Sequence, residues 1–258
     1  MSVWIIIPAR YASTRFPGKP LQPLTGADGV TKSLIHRTWE AGQAVQAADR
    51  VIVATDDDRI AEAVRSFGGE VAMTSPAARN GTERCAEAVA VLDGQPDIVV
   101  NLQGDAPLTP PWFLEDLVAG LRARPEMGAA TPVLLCDAQT YRRLREDRMA
   151  GRVGGTTAVF ASDHRALYFS KEVIPFLPDP HVAAPPVWHH VGVYAYRPAS
   201  LHAYAGWPEG PLERSEGLEQ LRFLENGEGM LCVPVDARGR VFWELNNPVD
   251  ITRIEAVL

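Results

Sequence analysis

The chain has 258 residues, of which 46% are hydrophobic and 22% are charged, and its formal net charge is -7. These values are typical of a soluble globular protein, and the acidic balance argues against a general nucleic-acid-binding protein, which would carry a basic face. The three cysteines form no CxxC pair, which argues against a structural zinc site or a disulfide framework and predicts a cytoplasmic protein. The first apolar run, residues 3–8, is too short for a signal peptide or a membrane span. We therefore expect neither nucleic acid nor a membrane among the partners.

Short apolar runs alternate with longer amphipathic segments in the first half of the chain. The pattern predicts strands at residues 3–8, 51–55 and 97–102, and helices at residues 31–47, 57–67 and 81–92. This alternation predicts an α/β fold with a mainly parallel, Rossmann-like sheet flanked by helices. Because ligands of such sheets bind beyond the carboxyl ends of the strands, we expect the functional residues directly after each strand.

The second half of the chain is less regular. It predicts strands at residues 156–161, 189–196, 230–235 and 240–243, and helices at residues 213–225 and 248–258. Five prolines between residues 175 and 186 predict a loop. No linker separates the two halves, so we predict a single domain over residues 1–258 with an elaborated second half.

The loop after the first strand, PARYASTRFPGKPL at residues 8–21, contains three cations: Arg10, Arg15 and Lys19. Polyphosphate binding needs positive charge together with backbone donors, and a loop of this composition supplies both. The loop has neither the Walker A spacing nor the GxGxxG fingerprint. Three cations within ten residues of an acidic protein favour a phosphate-binding loop over a solvated basic loop.

This loop resembles the opening signature of the 3-deoxy-manno-octulosonate cytidylyltransferases. Further similar segments follow in the same order: residues 53–57, 81–84, 101–105, 166–170, 190–194 and 211–222. The resemblance implies an enzyme that transfers CMP from CTP to an acidic sugar, with Mg²⁺ as cofactor, and it implies a homodimer. It also implies a CTP-binding half over residues 1–125, and a half over residues 126–258 that forms the sugar pocket and the dimer surface.

The resemblance assigns a nucleotide-binding role to residues in three segments of the first half: Ala9, Arg10, Arg15, Lys19, Gly81, Thr82, Arg84 and Gln103. It assigns the catalytic role to Lys19, Arg15 and Asp105. Asp105 also follows the predicted strand at residues 97–102, where a carboxylate can hold Mg²⁺ against triphosphate oxygens. We expect Asp105 to be a metal ligand rather than only a turn residue beside Gly104.

A second metal ligand is expected near the carboxyl terminus, where this chain has Asn246 in place of the aspartate of the family. An amide oxygen can bind Mg²⁺ but adds no negative charge, so the triphosphate would supply the missing charge. The alternative is that Asn246 or Asn247 caps the last helix.

A further acidic cluster, residues 56–58, has two interpretations. Carboxylates at a helix N-terminus complement the helix dipole. A DxD metal motif of a glycosyltransferase that uses a nucleotide sugar is the alternative. We favour the helix-capping interpretation because the loop after the first strand already accounts for a nucleotide site.

The acidic sugar is expected to bind residues of the second half. In the predicted strand at residues 189–196, Val191, Val193 and Ala195 share one face and His190, Tyr194 and Tyr196 share the other. The resemblance places His190 and Tyr194 on the sugar, although a buried, hydrogen-bonded histidine is the alternative. It also places Lys171, Glu219 and Gln220 there. On the predicted helix over residues 213–225, Glu213, Glu216 and Gln220 share a face that would otherwise be solvated.

Two departures from the family concern the sugar. Lys171 replaces an arginine, which exchanges a bidentate fork for a point charge, and Thr157 replaces a lysine. The acceptor is therefore 3-deoxy-manno-octulosonate, a modified form of it, or a sialic-acid-like nonulosonate. A glycosyltransferase and a non-catalytic homologue that only binds nucleotide or sugar are the alternatives from other classes.

Overall fold

Strands and helices alternate along the chain, as the pattern of apolar residues predicts. The computed structural model describes residues 1–12, 16–153, 155–179, 182–240, 244–245 and 247–258. The strands are β1 (Val3–Ala9), β2 (Pro23–Thr25), β3 (Thr31–Ser33), β4 (Arg50–Thr55), β5 (Glu70–Met73), β6 (Ile98–Asn101), β7 (Ala129–Leu135), β8 (Thr156–Phe160), β9 (Ala166–Ser170), β10 (Trp188–His190), β11 (Tyr194–Tyr196) and β12 (Met230–Pro234). The helices are α1 (Leu34–Gln43), α2 (Asp58–Ser66), α3 (Gly81–Val91), α4 (Pro111–Ala123), α5 (Ala138–Met149), α6 (Pro198–Gly206), α7 (Pro211–Glu216), α8 (Leu221–Glu225) and α9 (Asp250–Glu255). None of the helices in these ranges is long and apolar enough to cross a membrane.

Ten of the strands in the described ranges form one sheet, in the order β5-β4-β1-β6-β11-β7-β10-β8-β9, with β12 also paired to β7. The neighbours β5, β4, β1 and β6 pair in parallel. The pairs that involve β8 to β11 are antiparallel, and β12 returns parallel to β7. The predicted α/β class, with a Rossmann-like sheet that is mostly parallel at its core, is confirmed. The division into a nucleotide half over residues 1–125 and a sugar half over residues 126–258 stays a prediction.

Side chains of β1 alternate between two apolar layers, one on each face of the sheet. Val3, Ile5 and Ile7 pack into one layer with residues of α1, α2 and α4. Trp4 and Ile6 pack into the other layer with residues of α3 and α6. Because both faces are covered, this strand is an uninterrupted run of apolar residues, and its carboxyl end opens onto the loop of residues 8–21.

The predicted helix at residues 31–47 is shorter in the structure. Residues 31–33 form β3, which pairs with β2, and α1 begins only at Leu34. The Ser33 side chain accepts a hydrogen bond from the His36 amide, as an N-cap residue does. The capping serine therefore determines where the helix begins.

The predicted strand at residues 189–196 is two strands. β10 pairs with β7 and β8, whereas β11 pairs with β6 and β7, so the chain moves from one position in the sheet to another between them. The buried hydroxyl of Thr131 donates to the carbonyls of Val191 and Val193 in this crossing, at 3.2 and 2.9 Å. The predicted division of faces nevertheless holds, because Val191 and Val193 lie in one apolar layer and Tyr194 lies in the other.

The predicted helix at residues 213–225 is also interrupted. α7 ends before Gly217, which has a φ of 61°, and α8 begins at Leu221. A left-handed glycine is a common helix stop, because the missing Cβ removes the steric cost of that conformation. Because the helix is interrupted, the prediction that Glu213, Glu216 and Gln220 share one helix face was wrong, and Glu213 and Gln220 are buried.

At the carboxyl terminus the helix predicted at residues 248–258 is confirmed in shortened form as α9. Residues 241–243 of the strand predicted at 240–243 lie outside the described residues, as do Arg15 and Asn246. The described parts of the proline-rich segment, residues 175–179 and 182–186, contain neither helix nor strand, as predicted.

Candidate active site

A cavity of about 460 Å³ opens where the loops after β1 and β6 meet the first turn of α3. Its walls carry four cationic side chains and two carboxylates, so it is locally positive in a chain of net charge -7. This is the ligand-binding edge expected for parallel strands. Its lining residues are Pro8, Ala9, Arg10, Lys19, Pro20, Leu34, Ala78, Arg79, Asn80, Gly81, Arg84, Gln103, Gly104, Asp105, Gly217 and Glu219.

Lys19 and Asp105 face each other in this cavity, with 2.5 Å between Nζ and Oδ2. Lys19 begins the 3-10 turn Lys19–Leu21, and Asp105 lies in the loop after β6. Both side chains are about one-fifth exposed, so they stay accessible to a ligand in the cavity. The two loops also touch through their backbones, because a Cβ added to Gly104 would lie 2.6 Å from the Pro8 carbonyl oxygen.

The first turn of α3 forms a second wall of the cavity. The Asn80 side chain caps the helix by accepting a hydrogen bond from the Glu83 amide at 2.8 Å. Arg84 is almost fully buried, and its guanidinium donates to the Thr74 hydroxyl at 2.6 Å and lies 3.3 Å from Asp56. These partners fix the orientation of a buried cation that lines the cavity.

Two aspartates of the acidic cluster at residues 56–58 contact Arg84 and the first turn of α2. Asp56 pairs with Arg84, and Asp57 caps α2 by accepting a hydrogen bond from the Arg59 amide at 3.0 Å. The Arg59 guanidinium also donates to Asp57, and this bond holds the pKa of the Asp57 carboxyl below its ordinary value. The contacts agree with the helix-capping interpretation, and none of the three aspartates lines the cavity.

Seven of the eight residues with a sequence-predicted nucleotide or catalytic role that lie in the described part of the chain line this cavity: Ala9, Arg10, Lys19, Gly81, Arg84, Gln103 and Asp105. The eighth, Thr82, is buried in the first turn of α3 and does not line the cavity. Its amide donates to Glu219 at 3.1 Å, and its hydroxyl shares a hydrogen bond with the Tyr196 hydroxyl at 2.8 Å.

Of the residues predicted for the sugar, Glu219 lines the cavity and the others lie behind it or beside it. His190, Tyr194 and Gln220 form a buried cluster: the rings of His190 and Tyr194 are 5.6 Å apart, and the Tyr194 hydroxyl donates to Gln220 Oε1 at 3.2 Å. The ring nitrogen Nε2 of His190 and the amide nitrogen of Gln220 are buried and have no hydrogen-bond partner among the described residues. Buried polar atoms without a partner are uncommon in folded proteins, and water or a ligand can supply the missing hydrogen bond.

Lys171 lies close to the cavity. A Cβ added to Gly217, a lining residue, would lie 2.9 Å from the Lys171 ammonium nitrogen. Thr157, at the second departure from the family, donates its hydroxyl to the Glu172 carbonyl at 2.7 Å and accepts from the Ile174 amide at 3.1 Å. Its hydroxyl therefore holds the chain after β9, and Thr157 does not line the cavity.

Burial shifts the pKa values of this region strongly. It lowers the pKa of His190 from 6.5 to about 3 and that of His189 to about 4, so both imidazoles are neutral near pH 7. Burial raises the pKa of Glu219 and that of Tyr194 above their ordinary values. His190 can therefore exchange hydrogen bonds with a neutral hydroxyl, but it does not supply a positive charge.

These two histidines predict a loss of stability in acid. Both bind protons more readily in the unfolded chain, where the pKa is near 6.5, so their contribution to stability is complete above pH 6.5 and is lost as the pH falls towards 4. The slope is at most about 1.4 kcal/mol per pH unit and per histidine. Thermal unfolding of His190→Gln between pH 7 and 4 should show a shallower decline than wild type. Equal slopes for His190→Gln and wild type would contradict this account.

Gly217 offers a test of the Lys171 position. Gly217→Ala forces a side chain into a left-handed conformation, which costs about 1–2 kcal/mol, and places a methyl group against Lys171. Gly227 has a similar φ of 73° with open space around it, so Gly227→Ala supplies the same backbone strain without that contact. We expect both variants to lose stability in thermal unfolding, and only Gly217→Ala to raise several-fold the KM for the acidic sugar that the sequence predicts. The same KM in both variants would remove Lys171 from the site.

Arg79 and Asn80 were not identified from the sequence, although both line the cavity directly before the Gly81–Arg84 motif. The available signal was an N-cap residue three positions before Glu83 and a cation beside it. Arg79 is half exposed and bonds Glu83 through its backbone amide and its guanidinium.

The residues present fit a magnesium ion that is shared with a nucleotide. Asp105 is a carboxylate in a cationic cavity, and Mg²⁺ is commonly held by one or two carboxylates together with substrate phosphates. No group of three or more His, Cys, Asp or Glu side chains within the described ranges could form a metal cage without a substrate. The Leu245 amide donates to the Asp105 carbonyl at 2.8 Å, so the chain next to position 246 is adjacent to Asp105.

Comparison with known proteins gives a consistent picture. A family model described as cytidylyltransferase matches residues 4–230. The 3-deoxy-manno-octulosonate cytidylyltransferase of Maricaulis maris (strain MCS10) is 46% identical over 258 residues, covering 100% of this chain and 97% of that protein. The 8-amino-3,8-dideoxy-manno-octulosonate cytidylyltransferase of Shewanella frigidimarina (strain NCIMB 400) is 41% identical over 256 residues, covering 99% and 98%. A solved structure of CMP:2-keto-3-deoxy-manno-octonic acid synthetase complexed with CTP has a TM-score of 0.84 at 33% identity, covering 99% of this chain and 98% of that chain.

Proposed function

The chain belongs to the cytidylyltransferase family, and on that premise we propose that it transfers CMP from CTP to the anomeric hydroxyl of 3-deoxy-manno-octulosonate (Kdo) or a closely related ulosonic acid, releasing pyrophosphate. The observation that carries the proposal is the cationic cavity at the carboxyl ends of β1 and β6, with Lys19 facing Asp105. The names of two full-length relatives and the CTP complex of a solved relative support the same reaction.

The reaction proceeds by in-line displacement at the α-phosphate. The anomeric hydroxyl gives its proton to solvent as its oxygen forms a bond to the α-phosphorus, the bond from that phosphorus to the bridging oxygen breaks, and pyrophosphate leaves with the electron pair. Arg10 and Lys19 neutralise the leaving group from the loop after β1, and the resemblance adds Arg15. Such transfer depends mainly on positioning and charge stabilisation, which a preorganised cationic cavity supplies.

Other residues of the cavity would hold the rest of the nucleotide. Ala9, Gly81 and Gln103 offer backbone and amide groups, and Arg84 offers a fixed guanidinium edge. We propose that these four groups bind the cytidine and its phosphates.

We propose that Asp105 holds Mg²⁺ together with the triphosphate, with Asn246 as a second candidate ligand. A bound Mg²⁺ would draw charge from the phosphate oxygens and lower the pKa of a nearby hydroxyl. In the structure Asp105 is paired to Lys19, so nucleotide and metal would compete for these two side chains and separate them. Lys19 would then be available to the phosphates.

We propose that the acidic sugar binds across Glu219, Gln220, His190 and Tyr194, with its carboxylate towards Lys171. The unpartnered buried nitrogens of His190 and Gln220 support this placement, because sugar hydroxyls could complete their hydrogen bonds. Glu219 accepts a hydrogen bond from the Thr82 amide in the first turn of α3, which we propose binds the nucleotide. The two substrates would therefore meet at this contact.

An 8-amino-3,8-dideoxy acceptor is a second candidate, because a relative with that substrate in its name is 41% identical over almost the whole chain. The two acids differ only in the group at carbon 8, an ammonium against a hydroxyl. Turnover with both acids, compared at equal concentration, distinguishes the candidates through their kcat/KM ratio.

The decisive experiment is CTP-dependent pyrophosphate release in the presence of Mg²⁺, with Kdo, with 8-amino-Kdo and without sugar. Release that requires one of the acids establishes the reaction and the acceptor. No release, with CTP still bound in calorimetry, would overturn the proposal and leave a nonulosonate cytidylyltransferase first and a non-catalytic homologue second. Hydrolysis or transfer from a nucleotide sugar would instead support a glycosyltransferase.

We also propose a cytoplasmic homodimer. The dimer rests on the family resemblance, and the location rests on three unpaired cysteines in a chain without a CxxC motif. Light scattering on the purified protein tests the first proposal, and fractionation of the native cells tests the second.

A further inference from the structure

Arg222 is a buried cation that does not line the cavity and that the proposed reaction does not use. Its side chain is 1% exposed. The guanidinium donates to Glu213 through Nε at 2.6 Å and through Nη2 at 2.7 Å, which is a bidentate fork. It lies over the ring of Tyr204, 4.3 Å from the centroid. Its third nitrogen, Nη1, donates to Glu83 at 2.9 Å.

These contacts join two walls of the active-site cavity. Glu83 is in the first turn of α3, between the lining residues Gly81 and Arg84. Glu213 is in α7 and Arg222 is in α8, and the segment between these helices supplies the lining residues Gly217 and Glu219. The first turn of α3 is the proposed nucleotide wall, and the segment of Gly217 and Glu219 is the proposed sugar wall. The buried cation therefore links these two walls.

Smaller contacts run beside the ion pairs. The Thr82 amide donates to Glu219 at 3.1 Å, and the Asn80 side chain donates to the Tyr204 hydroxyl at 3.0 Å. That hydroxyl in turn donates to the Glu219 carbonyl at 3.2 Å. All of these bonds link residues 80–82 to the segment around Glu219, so they depend on the spacing that Arg222 maintains.

Removing the cation would have a specific consequence. The carboxylates of Glu213 and Glu83 are 5% and 10% exposed. Without Arg222, Glu213 would keep no ion-pair partner among the described residues, and Glu83 would keep only Arg79. A buried carboxylate without a partner is costly and draws in water. Burial works against the charge of Arg222 itself, but the bonds to Glu213 and Glu83 raise its pKa above the ordinary value.

We propose that Arg222 is a positioning residue that holds the nucleotide wall and the sugar wall in register, so that the bound acid meets the α-phosphate. The substrates named in this inference rest on the proposed function. Arg222 touches neither substrate; it acts through Glu83 on the first turn of α3 and through Glu213 on the segment that carries Glu219.

The test compares Arg222→Lys, which keeps the charge and loses the fork, with wild type at a temperature well below thermal unfolding of both. We expect faster hydrogen exchange at the amides of residues 80–84, a higher KM for CTP and for the acid, and a loss of about 10- to 100-fold in kcat/KM, because small misplacements of reacting groups are costly. Unchanged exchange at residues 80–84 together with unchanged kinetic constants would overturn the proposal.

Arg197→Lys is the matched control. The Arg197 guanidinium is partly buried and donates to the carbonyls of Leu121, Met127 and Arg124, and Arg197 does not line the cavity. This variant should lose thermal stability with wild-type kcat and KM. If it changes the kinetic constants as Arg222→Lys does, the effect is general destabilisation and the proposal fails.

A second variant and a binding measurement cover two cases, one in which Arg222→Lys does not fold and one in which wild type shows no turnover. If Arg222→Lys does not fold, Glu213→Gln removes the charge of one partner while keeping its shape, and the same exchange and kinetic changes are expected in milder form. If the wild-type protein turns over no ulosonic acid, the proposed function has failed. CTP binding by calorimetry and exchange at residues 80–84 would still decide whether a change on the sugar side weakens the nucleotide wall.

Discussion

Replacing Lys19 by alanine is expected to lower kcat for pyrophosphate release by about 10²- to 10³-fold, which is typical for the loss of one preorganised charge at a developing anion. The ammonium lies in the cavity opposite Asp105, where the leaving pyrophosphate would gather charge. Because the Lys19–Asp105 pair is partly exposed, its loss should change the free energy of unfolding by less than about 1 kcal/mol. Steady-state pyrophosphate release and thermal unfolding measure both quantities.

Lys32→Ala is the control for this variant. Lys32 forms an equally short ion pair with Glu40 at 2.5 Å, is similarly exposed, and does not line the cavity. Its removal should leave kcat unchanged. Wild-type turnover in Lys19→Ala, with unchanged thermal stability, would withdraw Lys19 from the catalytic set.

Asp105→Asn is expected to reduce kcat/KM by about 10²-fold or more at a fixed Mg²⁺ concentration, because electrostatic groups at a phosphoryl centre contribute on this scale. The substitution keeps the size of the side chain and its oxygen but removes the charge that a divalent cation needs. The Mg²⁺ concentration for half-maximal rate should therefore rise. A titration of rate against Mg²⁺ at saturating CTP separates this effect from a general loss of activity.

Asp28→Asn is the matched control for the metal assignment. Asp28 is exposed in a turn, where it accepts a hydrogen bond from the Val30 amide at 2.9 Å, and it does not line the cavity. The variant should titrate with Mg²⁺ as wild type does. If Asp105→Asn also shows the wild-type Mg²⁺ requirement, the metal is not held by Asp105.

The nucleotide end of the molecule could be predicted from the sequence because its residues follow strands. Lys19, Gly81 and Asp105 are far apart in the chain, but parallel strands bring their carboxyl ends to one edge of a sheet. The segments of Lys19 and Asp105 could therefore be recognised from their composition and from the strand before each, whereas the Gly81–Arg84 segment was assigned by the family resemblance alone. The structure brings all three into one cavity.

The region that we propose binds the sugar could not be predicted in the same way. Its shape depends on the left-handed Gly217, which interrupts the helical pattern, and on the move of the chain between β10 and β11. Arg222 is 139 residues from its partner Glu83, and no local pattern indicates such a pairing. The periodicity of residues 213–225 predicted one continuous helix, where the structure has two short helices and a buried ion network between Arg222, Glu213 and Glu83.

Helix α4 could also have been predicted from the sequence. α4 buries Phe113, Leu114, Leu117, Val118 and Leu121, which is a helical spacing of apolar residues with a proline at its first turn. That helix covers the sheet beside β7 and β12 and was not identified in the sequence.

The contact between Gly104 and the Pro8 carbonyl has a consequence for how this enzyme can change during evolution. It places main-chain atoms, not side chains, between the phosphate loop and the loop of Asp105, and no residue with a Cβ fits there without moving the backbone. A substitution at Gly104 would therefore move the backbone beside Asp105. Around Lys171, Gln220 and His190, side chains make the contacts. Under the proposed function, we expect single substitutions there to change the acceptor while the donor chemistry is kept.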